Sequence, residues 1–150
     1  MSIVNKIPQR TKTVSLIVPA VIDGTLTNSV VIDRKGFQSA QINLNYSACV
    51  GGGAPSAAAL SFTVYTNTAS STSSPAPVLL ATLETAKDIL LAGIGTYSVD
   101  LSNANRYLFV EFDSTLTGGT TPSNIVSCDC ALGDASIQPA AGSAVTVYGR

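Results

Sequence analysis

The clearest signal in this chain is alternation. From Ala40 to Tyr46, apolar Ala40, Ile42, Leu44 and Tyr46 alternate with polar Gln41, Asn43 and Asn45, the two-residue period of a strand with one buried face. The period returns at Leu60, Phe62 and Val64 against Ser61, Thr63 and Tyr65, and at Tyr97, Val99 and Leu101 against Ser98 and Asp100. It returns again at Val126, Cys128, Cys130 and Leu132 against Ser127, Asp129 and Ala131. β-Branched residues predict two more short strands, Val14 to Val18 and Ser29 to Ile32, separated by the turn dipeptide Asp23-Gly24. Gly51-Gly52-Gly53-Ala54-Pro55 breaks the first alternating run, so the run through Leu60 is expected to return antiparallel beside it through a loop. Val78 to Leu83 and Ile89 to Leu91 read as strand, turn, strand. The Ser/Thr/Ala/Pro segment from Thr66 to Pro77 reads as a mobile surface loop.

One run behaves differently. Arg106 to Phe112 is the densest set of strand-forming residues, and both of its faces are largely apolar: Leu108, Val110 and Phe112 on one, Tyr107 and Phe109 with Glu111 on the other. It is expected to be a central strand. A sandwich supplies one inner face per sheet, so Tyr107 and Phe109 should point outward and be covered by a terminal arm or a neighbouring subunit.

No stretch of helical period competes with these runs, and turn signals recur every eight to fifteen residues. The predicted fold is all-β, an antiparallel β-sandwich with extended N- and C-terminal arms, the jelly roll being one candidate topology. Residues 1–13 form the N-terminal arm and 14–135 the sandwich. Residues 136–150 form a tail, or an edge strand through Ala144 to Tyr148. The expected core is Ile32, Ala40, Ile42, Leu44, Leu60, Phe62, Val64, Leu80, Val99, Leu101, Leu108, Val110, Phe112, Val126, Cys128 and Leu132.

Composition narrows the function more by exclusion than by indication. Charged residues make up 11% of the 150 residues, against about 25% in ordinary soluble domains, so the surface must be neutral and polar. A net charge of -1 offers nucleic acid or an anionic membrane no global attraction, and no apolar run is long enough for a spanning helix. Val14 to Ile22 follows several positive charges in the manner of a signal peptide, but Pro19 interrupts it and Asp23-Gly24 stands where small residues would prepare cleavage.

With no histidine in the chain, the commonest general base and the Ser-His and Cys-His nucleophile pairs are missing. The three cysteines, Cys49, Cys128 and Cys130, lack zinc-ligand spacing and read as small core residues. Asp113 and Asp129 could share a calcium ion, though solvated acids at strand ends fit them better. No catalytic site, metal or cofactor is expected, and the chain does not read as an enzyme. More telling is the absence of any charge from Gly36 to Leu83, across two predicted strands. Their outward residues Gln41, Asn43, Asn45, Ser61, Thr63 and Tyr65 form either a solvated neutral sheet or an intersubunit face.

Thr25 to Ala40 contains a threonine-rich lead-in followed by Ile32-Asp33-Arg34-Lys35-Gly36-Phe37-Gln38-Ser39. In the same order come Tyr97-Ser98-Val99-Asp100-Leu101, Asn105-Arg106-Tyr107-Leu108-Phe109-Val110, Gly119-Thr120-Thr121-Pro122-Ser123 and Ala131-Leu132-Gly133-Asp134-Ala135, with Pro139 beyond. In this order and spacing the chain resembles small tailed-bacteriophage structural proteins of the head decoration or cement type. The resemblance implies a virion component made in the host cytoplasm and bound to the outer capsid surface, often as a homotrimer. Its partners would be the major capsid protein and further copies of itself. Lys6, Arg10 and Lys12 would then be capsid-contact residues of the arm, and Gln41, Asn43, Asn45, Thr63, Tyr65, Tyr107 and Phe109 a subunit interface. The alternative is a carbohydrate-binding or adhesin-like β-sandwich displayed on a virion or cell surface, with Tyr65 or Tyr107 as a stacking platform.

Overall fold

The computed structural model describes residues 11–24 and 27–134. Ten strands follow in order: β1 (Lys12–Ile22), β2 (Thr27–Asn28), β3 (Ile32–Asp33), β4 (Ser39–Tyr46), β5 (Val50–Gly52), β6 (Ala57–Asn67), β7 (Val78–Asp88), β8 (Gly93–Asp100), β9 (Tyr107–Thr117) and β10 (Thr120–Gly133). One sheet has the order β1-β10-β4-β8, with β5 on the start of β10. The other has the order β2-β9-β6-β7, with β3 also on β9. Every pairing is antiparallel.

The pairs are nested. β1 lies against β10, β2 and β3 against β9, β4 against β8, and β6 against β7, as though one long hairpin had been wrapped across two sheets. This is the jelly-roll form of the antiparallel sandwich.

The topology overturns one expected pairing. β4 and β6 are consecutive alternating strands, yet they belong to different sheets, and the connection through Gly53 crosses the end of the sandwich. Alternation states which side of a strand is buried but not which strand lies beside it. Other expectations change too: of the strand expected from Ser29 to Ile32, only Ile32 is paired, in β3. β7 continues to Asp88 through the expected turn, absorbing it in register shifts against β6 and a positive φ at Ala86. Ile89 to Leu91 is not a strand, although Ile89 is fully buried in the connection. Gly51 and Gly52, read as the start of a chain break, belong with Val50 to a short strand that pairs with β10.

The core lies where the alternation placed it. Ala40, Ile42, Leu44, Val126, Cys128 and Leu132 from the first sheet meet Leu60, Phe62, Val64, Leu108, Val110 and Phe112 from the second. Leu80 alone of the expected core is only half-buried, because edge strand β7 is covered on one flank only. Phe62 stacks on Phe112 with a centroid separation of 4.7 Å and meets the edge of Tyr97 across the layer at 5.6 Å. Such pairs add about 0.5–1.5 kcal/mol each beyond area burial. Cys128 and Cys130 are free and buried, and burial raises both thiols to about 12, so they act as core residues without nucleophilic character.

At the open edge between β7 and β8 the Tyr97 hydroxyl donates to Glu84 Oε1 at 2.8 Å, and Lys87 Nζ donates to the same oxygen at 3.0 Å. This polar clasp joins the two sheets. Gly95 makes room for the Tyr97 ring of this clasp and Gly93 for the ring of Tyr46, since a Cβ at either would collide with that ring.

Candidate functional site: the outer faces of the sandwich

Because β4 and β6 lie in opposite sheets, the uncharged outward residues form two faces that point away from each other. On the first sheet Gln41 stands between Ala131 and Ser98, Asn43 between Asp129 and Thr96, and Asn45 between Ser127 and Ile94. Gln41 and Asn45 are exposed and Asn43 is half-buried. Thr96 Oγ1 donates to Asn43 Oδ1 at 3.2 Å. Asp129 at the centre and Asp100 at one end are the charged residues at these outward positions, and no lysine or arginine joins them. Towards the other end the face becomes apolar: Val18, Val21, Ile94 and Ile125 are each more than half exposed. Val21 is paired with Ile125, and Ile94 and Ile125 share a shallow depression with Pro19 and Asn45.

The opposite face is built from Thr63, Tyr65, Asn67, Tyr107, Phe109 and Glu111. Here the expected interface is corrected. Phe109 does point away from the core cluster, but it is only 1% exposed within the single chain, so no neighbouring subunit is needed to cover it. It stacks on its cross-strand neighbour Tyr65 at 5.5 Å. Asn67, also on this face and 1% exposed, donates through Nδ2 to the carbonyls of Ser71 and Pro75, at 2.9 and 2.8 Å. Its Oδ1 accepts from the amide of Ala69 at 3.2 Å. The loop after β6, expected to be a mobile excursion, is thus folded back over the sheet around one amide side chain. The sequence signal for this was slight: a lone Asn closing a long alternating run.

Tyr107 is half-buried, with the Arg106 guanidinium 5.2 Å from its ring centre. Arg106 also holds Asp33 through both carboxylate oxygens, with Nη2 to Oδ2 at 2.6 Å. That contact, with the amide of Lys35 and the nearby charge of Lys12 adding to it, keeps the Asp33 carboxyl below its ordinary range. Arg34, next in the chain, donates to the carbonyls of Phe37, Ala104 and Asn105. The Ile-Asp-x-x-Gly-Phe and Asn-Arg-Tyr segments are therefore two halves of one structural clasp. Ile32 and Phe37 are buried at its base, and Gly36 supplies the positive φ of its turn.

Lys12 is the first residue of β1, paired with Leu132, so it belongs to the sheet and not to a free arm. Lys6 and Arg10, and the Ala144 to Tyr148 segment, lie outside the described residues. Asp113 and Asp129 stand on strands of different sheets and do not share a site. No group of potential metal ligands forms among the described residues.

No protein-family model matches the chain, and no curated protein matches it in sequence. Among solved structures it is similar to VP2 in the subviral particle of infectious bursal disease virus, with a TM-score of 0.51 at 16% identity, over 85% of this chain and 33% of that one. The chain spans about a third of the VP2 length. At this identity the likeness is one of fold. The Gt strain of the same virus (TM-score 0.48, 12% identity, 87% of this chain and 35% of that one) and the pili of Bacillus endospore appendages (0.40, 12%, 91% and 98%) match less well, and neither adds to that statement.

Proposed function

We propose that this chain is a non-catalytic virion structural protein that binds the outer surface of a phage capsid in many copies, as a decoration or cement protein. The observation that carries the reading is the outer face of β1-β10-β4-β8: long, exposed, without a positive charge, and grading from amides and hydroxyls into an apolar end. Apart from the carboxylates of Asp129 and Asp100, such a surface can be buried against protein without stripping ions of their water. The order of motifs from Thr25 to Pro139 supports the phage assignment, and the jelly roll shared with a protein of a viral particle is compatible with it. A protein that binds the assembled shell but not its separated parts stabilises the shell by mass action. No chemistry is required of it.

The glycan-binding alternative is the less supported reading, because one face of Tyr65 is taken by Phe109 and Arg106 lies over Tyr107. The experiment is to add purified protein to particles that lack it and to measure both occupancy and the temperature at which the shell opens. Saturable binding with a higher opening temperature is expected; binding that leaves the shell unchanged would refute a cement role. Removing residues 1–10, which spares Lys12 and β1, should lower occupancy while the domain still melts as the full chain does. Unchanged occupancy would discard Lys6 and Arg10 as capsid contacts.

A further inference from the structure

Each sheet of the sandwich ends in edge strands, and an edge strand offers unpaired N–H and C=O groups to any other strand. Three of the four edges are blunted. β1 carries Pro19 and two register shifts against β10. β2 and β3 are two residues each, too short to template a partner. β7 has three register shifts against β6, a positive φ at Ala86, and the charges of Glu84, Lys87 and Asp88.

β8 has none of these devices. Its eight residues pair with β4 one for one, with no shift from Asp100 to Gly93. It contains no proline, lysine or arginine, and its one charge, Asp100, is its last residue. Among the described residues no strand lies beyond it.

We propose that the free edge of β8 is a docking edge for a second copy of this chain, the two β8 strands pairing antiparallel about a two-fold axis. With the other edges blunted, edge-to-edge pairing of two copies can use β8 only against itself, which makes the contact two-fold. A two-fold centred at Tyr97 keeps both outer faces continuous and sets Thr96 of one copy opposite Ser98 of the other, and Ile94 opposite Asp100. The charge pattern selects this direction. Antiparallel strands place the two Asp100 carboxylates at opposite ends, about 20 Å apart, whereas parallel strands would set them side by side. Exposed Ile94, 74% accessible in the single chain, would gain cover. The contact leaves the rest of the first outer face free, so it is independent of capsid binding. One strand pair buries less than a stable dimer needs. The association is therefore weak in solution and gains strength where many copies are held together on a surface.

The test uses the full chain up to millimolar concentration, with sedimentation velocity for mass and amide exchange for the edge. A monomer–dimer equilibrium is expected, with protection of the Ile94 to Val99 amides rising with concentration. Thr96→Lys with Ser98→Lys places like charges opposite each other at exposed positions and should weaken dimerisation by roughly tenfold or more. Mixing it with the Thr96→Glu, Ser98→Glu variant should restore pairing between unlike chains. Thr13→Lys with Ser15→Lys on the edge of β1 should leave association unchanged. A chain that stays monomeric throughout, or an oligomer whose mass ignores the β8 charges, overturns the proposal. Amide protection independent of concentration would place a segment of the same chain on the edge, and overturns it too.

Discussion

The two outer faces of this sandwich are made from strands of the same period, yet they have opposite fates. On the face of β9 and β6, a row of large side chains is closed off within the chain: Phe109 stacks on Tyr65, Asn67 draws the following loop back over the sheet, and Arg106 covers Tyr107. On the face of β4 and β8, the smaller Gln41, Asn45, Thr96 and Ser98 remain exposed. The face with the aromatic residues is the satisfied one. An aromatic row on an outward strand face therefore does not by itself mark an interface, because a loop of the same chain can reach it first.

The sharpest way to break this comparison is Phe109→Ala. If Phe109 is part of the folded interior, its loss should cost about 3–5 kcal/mol in urea unfolding of the isolated protein. A cost near zero would return it to the interface. Asn67→Ala removes three hydrogen bonds at a buried position and should cost roughly 1–3 kcal/mol. Cleavage of the loop at residues 68–77 by a nonspecific protease should quicken with it, and an unchanged cleavage rate would separate the loop from the amide.

At the boundary between the two faces, Glu84→Gln weakens the clasp to Tyr97 and Lys87 and should cost about 1 kcal/mol, at the low end for a charged hydrogen bond because the carboxylate is partly exposed. Hydrogen bonds from Tyr97 first, and then Lys87, hold the Glu84 carboxyl below its ordinary value, and Arg106 does the same for Asp33. Their stabilisation is complete above the unfolded carboxylate range and is lost as pH falls through the lowered folded values. Melting temperature should accordingly fall on acidification below that range, and less steeply in Glu84→Gln. The smallest effect belongs to the open face. Asn43→Ala should change stability by no more than about 0.5 kcal/mol, while occupancy on particles falls if this face meets the capsid.

Strand positions and buried sides were legible from Ala40, Ile42, Leu44, Phe62, Val110 and Cys128, because a two-residue period reports directly which side of a strand meets the core. The mutual clasp of Asp33 and Arg106 was not legible, since the two stand far apart in sequence and each is an ordinary surface charge in isolation. Nor was the role of Asn67, whose partners are backbone carbonyls that any residue could supply. By itself, the sequence determined the all-β class, the part of the core that lies on the alternating strands, and a surface poor in charge. Tertiary structure alone decided that β4 and β6 sit in opposite sheets, that Phe109 is covered from within, and that β8 is the edge left unguarded among the described residues. Periodicity is a local property of one strand; neighbours, cover and edges are properties of how strands are ordered, and that order is set by packing between segments distant in the chain.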